Sequence, residues 1–271
     1  MKISAICPTF RRPELLEEAI QSFLVQDYAG EKELIIVNDE KEQKLVFDHP
    51  QVKIINLNER APALSDKYNY AVSLTTGDMI VPWDDDDIYL PHRLTTIANN
   101  TFGGMWYSDY MFTDRTPDEL TLTKGMIHCN HAYSAKMFIQ FCAYQDKTHR
   151  PFDFAVIRKL RIARDGCPQP RTDTAFPSYI YRKNSVESIN HSSLFNQDHD
   201  IQNEEYLEKC ALGRTGEIVL MPHWKRDWMG LAKAAIARNP EPVVLSDVDG
   251  SIALQDKFES KLSGENTPEG E

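Results

Sequence analysis

The chain contains the segment Met79-Ile80-Val81-Pro82-Trp83-Asp84-Asp85-Asp86-Asp87, a short apolar run followed at once by four carboxylates. The apolar run is typical of a buried strand. Four adjacent carboxylates repel one another, and without a counter-charge some would stay protonated at a cost in stability. A divalent cation such as Mg²⁺ or Mn²⁺ removes that cost, because it binds carboxylate oxygens and completes its shell with water and phosphate. A solvated acidic loop before a helix is the alternative, but the position directly after a buried strand favours a metal site.

Strand and helix signals alternate through the first hundred residues. Further buried strands are predicted at Ile3–Cys7, Leu34–Val37 and Val52–Leu57. Helices are predicted from Pro13, over Ser65–Leu74 and from Pro91. This alternation is typical of a mostly parallel sheet covered by helices, and ligands of such sheets bind at the carboxyl ends of the strands. Asn38-Asp39 and the four aspartates both follow predicted strands, so we expect them at that edge.

The regularity weakens after Gly103-Gly104. The pattern there predicts a strand over Met105–Phe112, helices over Tyr133–Tyr144 and Asp153–Ala163, and a late strand over Ser178–Arg182. The composition changes from about Ser193. The stretch from Asn239 onward carries eight acidic and two basic residues and ends rich in Gly, Pro and Glu, which is typical of a disordered tail.

Charge and cysteine usage exclude several classes of protein. The net charge of −11 gives a surface that repels phosphate backbones, so duplex nucleic acid is not an expected partner. The five cysteines are scattered and never spaced as CxxC, which argues against a disulfide framework and a zinc site and favours the cytoplasm. No apolar run approaches the roughly 20 residues of a spanning helix, and no signal-peptide core is present. We therefore expect a cytoplasmic protein without a transmembrane segment.

Several segments, in order, resemble the nucleotide-binding half of family 2 glycosyltransferases. They are Cys7-Pro8-Thr9-Phe10-Arg11-Arg12, Ile35-Ile36-Val37-Asn38-Asp39, Lys67-Tyr68-Asn69 and Val81-Pro82-Trp83-Asp84-Asp85-Asp86-Asp87 with Pro91 and Arg93-Leu94. A weaker resemblance continues to about His191. The resemblance implies a GT-A fold, a Rossmann-like and mostly parallel sheet. It further implies inverting transfer of a sugar from a nucleotide diphosphate donor, typically a UDP-sugar, with Mn²⁺ or Mg²⁺.

The resemblance also implies which residues bind the nucleotide. The loop that packs against the base and ribose is matched by Pro8, Thr9 and Arg11, with Phe10 between them. Asp39 matches the carboxylate that accepts a hydrogen bond from the base, commonly uracil. The chain departs from the family at Asn38, where a second Asp is frequent, and at Glu40-Lys41, where Gly-Ser is frequent. These departures leave the choice of base open.

The metal is expected at the family's DxD element, whose outer positions match Asp84 and Asp86. Asp86 is the expected direct ligand and Asp84 lies nearer the ribose, while Asp85 is grouped with the donor-binding residues. Lys67 and Asn69 match a basic residue and an asparagine that also serve the donor, although Lys67 is equally a candidate for a plain surface lysine. Some GT-A enzymes have a third metal ligand on a late loop, and the candidates here are His191 and His223, with ordinary polar residues as the alternative.

Inverting transfer needs a general base that takes the proton of the attacking hydroxyl. The second half resembles the acceptor half of the family, and Asp153 matches its base. The chain departs at Phe152, where Glu is common, and Lys159 stands at the usual arginine position. Asp198, in Gln197-Asp198-His199-Asp200, is the alternative base.

The predicted domains follow from these matches. A GT-A catalytic domain spans 1–192, with the nucleotide-binding half over 1–103 and the acceptor half over 104–192, and a C-terminal extension spans 193–271. No motif identifies the acceptor, which could be a glycan, a lipid-linked compound or a small molecule. The sequence does not indicate the oligomeric state either. Two other functions stay open. One is a sugar nucleotidyltransferase, although Arg11-Arg12-Pro13 stands where such enzymes have a Gly-rich phosphate loop; the other is a non-catalytic nucleotide-sugar-binding protein of the same fold.

We predict that residues beyond about Gly264 are dispensable. This stretch has no apolar periodicity, and its Gly, Pro, Asn and Glu content does not offset the entropy lost on ordering. A chain that ends at Ser263 should keep its melting temperature and its activity. A large loss of either would show that the tail docks on the domain.

Overall fold

The computed structural model describes residues 1–101, 104–108, 110–113, 121–122, 128–138, 177–182, 214–238 and 243–244. The strands are β1 (Ile3–Thr9), β2 (Lys32–Asn38), β3 (Gln43–Val46), β4 (Val52–Asn56), β5 (Met79–Pro82), β6 (Ile88–Tyr89), β7 (Met105–Tyr107), β8 (Tyr110–Thr113), β9 (Thr121–Leu122), β10 (His131–Ser134), β11 (Tyr179–Tyr181), β12 (Gly216–Val219) and β13 (Val243–Val244). The helices are α1 (Pro13–Leu24), α2 (Leu64–Ser73), α3 (Arg93–Asn100), α4 (Ala135–Met137) and α5 (Trp228–Arg238), with a 3₁₀ turn at His128–Asn130. Within these ranges, no helix has the length and apolar character needed to cross a bilayer.

Six strands form the central sheet, in the order β4-β2-β1-β5-β10-β7. The first four are parallel to their neighbours, whereas β10 is antiparallel to both β5 and β7. The sheet is therefore mostly parallel, and α1 and α2 lie between its parallel strands in the chain. The prediction of an α/β fold with a Rossmann-like, mostly parallel sheet is confirmed.

Strand β1 is buried along its whole length because helices cover both faces of the sheet. Ala5 and Cys7 belong to the same apolar cluster as Leu16 of α1. Ile6 points the other way and belongs to a second cluster with Tyr68 of α2. This alternation follows the two-residue period of a strand, and burial on both faces explains the continuous apolar run in the sequence. The carboxyl end of β1 is thus held from both sides.

A second sheet has the strand order β13-β9-β8-β11-β6. One of its edge strands, β6, comes directly after the aspartate run in the chain. Strand β6 follows the four aspartates directly and pairs antiparallel with β11, which pairs parallel with β8 on its other side. One end of the aspartate run is therefore fixed by the central sheet and the other by this second sheet.

Part of the predicted C-terminal extension packs against the nucleotide-binding half. Strand β12 pairs parallel with β3, and Leu220 joins the main apolar cluster. Trp228, at the start of α5, is buried with Ile88 and Leu90 in a third cluster. Residues 214–238 are thus in contact with the first half of the chain, whereas the boundary at 193 stays a prediction.

The structure corrects the prediction of a helix over Tyr133–Tyr144. Residues His131–Ser134 form β10 instead, which fills the gap between β5 and β7 in the central sheet. Ser134 has an extended backbone, and its hydroxyl accepts a hydrogen bond from the Met137 amide at 3.1 Å. A serine in this position caps a helix, so the helix begins only after it. Residues beyond 138 of that prediction, and the predicted helix over Asp153–Ala163, lie outside the described residues.

The predicted strand over Met105–Phe112 is two strands, β7 and β8. Ser108 ends the first of them: its hydroxyl accepts a hydrogen bond from the Tyr110 amide at 3.1 Å, a local turn contact that competes with strand pairing. The two strands consequently belong to different sheets, β7 to the central sheet and β8 to the second.

Candidate functional site

The carboxyl ends of three neighbouring strands bring the predicted donor and metal residues to one edge of the central sheet. Thr9 at the end of β1 is in register with Asn38 at the end of β2. On the other side of β1, the amide of Trp83, just after β5, donates to the carbonyl of Ile6 at 2.9 Å. The loops that follow these strands, which carry Arg11, Asp39 and the aspartate run, therefore start from the same edge.

Burial alternates along the four aspartates. Asp84 and Asp86 are partly exposed, whereas Asp85 and Asp87 are buried. The side chain of Asp86 keeps 13% of its surface exposed, against 1% for Asp85. The two aspartates that the sequence predicts as metal ligands are the two that a ligand in solvent can reach.

Asp85 ties the aspartate run to the end of β1. Its carboxylate accepts hydrogen bonds from the Thr9 hydroxyl at 2.6 Å and from Arg12 Nε at 3.1 Å, and Arg12 Nη2 donates to its other oxygen. Burial raises the pKa of Asp85 to about 6, and the nearby Arg12 guanidinium opposes that rise. Asp85 is buried, unlike Asp84 and Asp86, and both its oxygens are engaged by protein donors, so this residue acts on the site through its neighbours.

Asp87 ties the run to the second sheet. Its carboxylate accepts hydrogen bonds from the Tyr179 hydroxyl at 2.5 Å and from the Arg182 amide at 3.0 Å, both on or next to β11. Burial raises the pKa of Asp87 well above its ordinary value, and the negative charge of Asp86 adds to the rise. Asp85 and Asp87 together hold Asp84 and Asp86 at fixed positions.

Asp84 is held by two side chains that the sequence analysis did not single out as site residues. The Tyr68 hydroxyl donates to one carboxylate oxygen, and the Cys129 thiol donates to the other at 2.6 Å. Asp84, Asp87 and Cys129 each offer a metal-ligating atom, and these atoms lie within 4.8 Å of one another. Cys129 is 45 residues from Asp84 in the chain, and no spacing pattern in the sequence signals such a contact.

Asp86, the predicted direct metal ligand, faces a guanidinium group. Arg12 Nη1 donates to its carboxylate at 2.7 Å, and Arg182 Nε donates to its backbone carbonyl. The sequence analysis required a counter-charge for the aspartate run and assigned it to a metal ion. Arg12 supplies one such positive charge. Neither its position beside Arg11 nor its spacing from the aspartates predicted the contact with Asp86.

Asp39 and Lys67 form a buried ion pair beside Thr9. Lys67 Nζ also donates to the Thr9 carbonyl at 2.9 Å, and the Ala61 amide donates to Asp39 at 3.1 Å. Burial lowers the pKa of Lys67, and the Asp39 carboxylate opposes that change. Because Lys67 is only 5% exposed, it is not a plain surface lysine. Asn69 lies two residues further along α2 and is partly buried.

Phe10 lies at the centre of a cationic cluster. The Arg60 guanidinium stands 4.4 Å from the centre of its ring, that of Arg11 5.4 Å and Lys67 Nζ 5.9 Å. Arg11 has a φ of 55°, a left-handed conformation that costs about 1–3 kcal/mol in a residue other than glycine and recurs at functional loops. Its side chain pairs with Glu40. Arg60, which the sequence analysis missed, is the exposed member of this cluster.

The remaining candidates are less well placed. His223 is exposed, and its Nδ1 lies 2.6 Å from the Met221 carbonyl oxygen. Neither His223 nor Asp86 belongs to the metal-ligating group of Asp84, Asp87 and Cys129 found among the described residues. His191 and the two candidate bases, Asp153 and Asp198, lie outside the described ranges, so their roles stay predictions.

A mostly parallel sheet whose carboxyl edge carries accessible carboxylates and buried cations defines an α/β protein with a ligand site at that edge. The sequence model of the family described as Glycosyl transferase family 2 matches residues 4–159. That range covers more than half of the chain, and the chain belongs to this family.

Curated relatives match shorter parts of the sequence. The chain is 36% identical over 121 residues to the putative colanic acid biosynthesis glycosyl transferase WcaA of Escherichia coli, covering 40% of this chain and 43% of that protein. It is 27% identical over 150 residues to the uncharacterized glycosyltransferase YwdF of Bacillus subtilis, covering 54% and 53%. It is 33% identical over 111 residues to the GalNAc(5)-diNAcBac-PP-undecaprenol beta-1,3-glucosyltransferase of Campylobacter jejuni, covering 38% and 35%. The matches thus span about a third to a half of each relative.

Solved structures show a weaker likeness. TarS of S. aureus with UDP-GlcNAc has a TM-score of 0.47 at 15% identity, covering 68% of this chain and 59% of that one. The mannosyltransferase PcManGT of Pyrobaculum calidifontis, with GDP-Man and Mn²⁺, has a TM-score of 0.48 at 13% identity, covering 98% and 76%. Similarity at this level adds nothing to the family assignment.

Proposed function

We propose that this chain transfers a sugar from a UDP-sugar to an acceptor hydroxyl, with Mn²⁺ or Mg²⁺ held by Asp84 and Asp86. The alternating burial of the aspartate run carries the proposal. A metal that bridges protein and diphosphate needs carboxylates that solvent and ligand can reach, and these two are the ones partly exposed. Membership of glycosyl transferase family 2 supports the type of reaction.

The chemistry of these side chains fits the metal. Hard divalent cations prefer oxygen ligands and use few protein carboxylates, because phosphate oxygens and water complete the shell. The Cys129 thiol, a soft ligand, is better suited to hold Asp84 in place through its hydrogen bond. When bound, the metal would neutralise charge on the leaving diphosphate. The protein prepares for this by fixing the neighbouring Asp85 and Asp87 in buried hydrogen bonds.

The nucleotide would lie along the loops that follow β1 and β2. Asp39 offers a carboxylate to the base, and its ion pair with Lys67 fixes its orientation. Phe10 supplies an aromatic surface, over which Arg60 stands. A guanidinium over a ring at an exposed position contributes about 0.5–1 kcal/mol and is free to reorient toward a bound nucleotide.

We assign the general base to Asp153. It lies inside the range that the family sequence model matches, residues 4–159, whereas Asp198 lies beyond it. In an inverting reaction the base takes the proton of the acceptor hydroxyl while that oxygen attacks the anomeric carbon, on the side opposite the departing diphosphate.

The names of two relatives bear on the acceptor. One is named for colanic acid biosynthesis and another for a glycan linked to undecaprenol diphosphate. We propose that the acceptor is a saccharide hydroxyl, either free or lipid-linked. Release of UDP that rises with added oligosaccharides or with their lipid-linked forms would support this, whereas release only with non-sugar alcohols would argue against it.

A thermal-shift titration tests the donor and the metal. UDP should stabilise the protein more strongly when Mn²⁺ is present, because Asp84 and Asp86 have little affinity for diphosphate without a bridging cation. A ligand at 100 times its Kd adds about 2.7 kcal/mol of stability. Asp86→Ala should abolish the increment that depends on Mn²⁺. If the mutant keeps that increment, the aspartate run is not the metal site.

The products of the reaction separate the proposed function from its two alternatives. A glycosyltransferase releases nucleoside diphosphate from a nucleotide sugar, whereas a sugar nucleotidyltransferase releases pyrophosphate from a nucleoside triphosphate. A non-catalytic binding protein would show the stabilisation by UDP but no donor hydrolysis, even over long incubation.

A further inference from the structure

Arg12 is bound to two consecutive aspartates at once. Its Nε donates to Asp85 at 3.1 Å and its Nη2 also donates to Asp85, while its Nη1 donates to Asp86 at 2.7 Å. The arginine side chain is only 9% exposed. The planar guanidinium therefore has one edge fixed on a buried carboxylate and one nitrogen on the carboxylate that we assign to the metal.

This contact sets up a competition at Asp86. A divalent cation and the guanidinium both bind the carboxylate, and each would be repelled by the other at a separation of a few Å. Near a protein surface, charges a few Å apart interact strongly because the effective dielectric constant is well below that of bulk water. Binding of the metal alone must therefore either weaken the Arg12–Asp86 ion pair or occur despite repulsion between the metal and the Arg12 guanidinium.

The donor offers Arg12 another partner. A diphosphate that coordinates the metal brings two or more negative charges to the same edge of the sheet, and guanidinium groups bind phosphate oxygens well. The partly exposed Asp86 carboxylate can turn away from Nη1 while Nε and Nη2 stay on Asp85, so the exchange needs no movement of the backbone. The bound diphosphate would replace Asp86 as the negative partner of Arg12 Nη1.

We propose that Arg12 makes metal binding depend on the donor, because it occupies Asp86 until a diphosphate is present. This inference rests on the proposed function, which assigns Asp86 to the metal. The coupling is reciprocal: UDP must raise the affinity for Mn²⁺ by the same factor by which Mn²⁺ raises the affinity for UDP. Arg12 is thus a binding residue whose contribution differs between the states with and without donor.

The inference can be tested without turnover by measuring Mn²⁺ binding. The electron paramagnetic resonance signal of the free ion is lost as Mn²⁺ binds to the protein. In Arg12→Gln, Mn²⁺ alone should bind about tenfold more tightly, since a positive charge a few Å from the site is gone. The factor by which UDP increases Mn²⁺ affinity should fall by about the same amount. The control is Arg214→Gln, which changes the net charge equally but removes an exposed partner of Glu14, and it should match the wild type.

Three outcomes would overturn the inference, and they differ from one another. If Arg12→Gln binds Mn²⁺ alone no more tightly than wild type, Arg12 does not compete with the metal. If wild type binds UDP independently of Mn²⁺ and Arg12→Gln loses UDP, Arg12 replaces the metal. If Asp86→Asn binds Mn²⁺ with and without UDP as wild type does, the metal assignment in the proposed function fails as well.

A second variant covers the case in which Arg12→Gln fails to fold because Asp85 is left buried without its cation. Arg12→Gln combined with Asp85→Asn removes the buried charge together with its partner, which is often tolerated. Because loss of the Asp85 charge opposes any gain in affinity for Mn²⁺ alone, the readout in this variant is the factor by which UDP increases Mn²⁺ affinity, which should fall as in Arg12→Gln. An unchanged factor in this folded variant overturns the inference.

Discussion

Replacing Glu18 by alanine is expected to destabilise the protein by about 3–5 kcal/mol, the cost of leaving a buried charge without its partner. Glu18 lies on α1 and is almost fully buried. One of its oxygens accepts a hydrogen bond from Arg182 Nη1 at 2.5 Å. The other accepts two, from the Lys225 amide and from Trp228 Nε1, each at 2.9 Å. Loss of the carboxylate strands the Arg182 guanidinium and two further donors.

The matched control is Glu14→Ala on the same helix. Glu14 also pairs with an arginine, Arg214, at 3.1 Å, but both side chains are about half exposed. An exposed ion pair contributes about 0–1 kcal/mol, so this variant should stay within that range. Urea unfolding of both variants measures the difference. Equal effects of the two substitutions would show that the Glu18 cluster does not hold the C-terminal segment in place.

The Glu18 cluster, which consists of Glu18, Arg182, Lys225 and Trp228, also links residues outside the family match to the proposed metal site. Arg182 donates its amide to Asp87 at 3.0 Å and its Nε to the Asp86 carbonyl. Trp228 and Lys225 reach the same point through Glu18. A conservative variant, Glu18→Gln, keeps the packing and weakens only the charge. We expect its UDP affinity in the presence of Mn²⁺ to fall more than its affinity in the absence of metal.

The central sheet was predictable from sequence because burial on both faces leaves a continuous apolar run. Leu34–Val37 shows this, and it lies within β2. Strand β10 was not predictable in this way. Tyr133 is compatible with a helix or a strand, and only its place between β5 and β7 makes it a strand. Local sequence pattern does not contain that information, since tertiary pairing overrides it.

The candidate site shows the same division. The aspartate run could be identified because its carboxylates are adjacent in the chain and need a counter-charge. The partners that hold it were not identifiable: Arg12 is 73 residues from Asp85, and Glu18 is 164 residues from Arg182. No local rule pairs side chains over such distances. The order of the strands in the sheet, which brings β1 beside β5, decides the Arg12 contact.

Replacing Asp153 by asparagine is expected to lower the rate of sugar transfer by about 10²–10⁴, the usual contribution of a general base. The substitution keeps the shape of the side chain and removes its capacity to accept a proton. Nucleotide affinity should change by no more than a few-fold. The base acts on the acceptor hydroxyl, whereas Asp39, Lys67 and the aspartate run would hold the donor. A loss confined to turnover is the signature of an interaction made in the transition state.

The control for this experiment is Asp198→Asn, which should transfer sugar at nearly the wild-type rate. Both variants should be stabilised by UDP and Mn²⁺ as wild type is, so that a fall in rate can be separated from a loss of donor binding or of fold. If Asp198→Asn is inactive and Asp153→Asn is active, the base belongs to the later acidic segment. In that case the catalytic domain extends past Pro222, and the segment that Glu18 anchors is part of the domain that carries out the reaction.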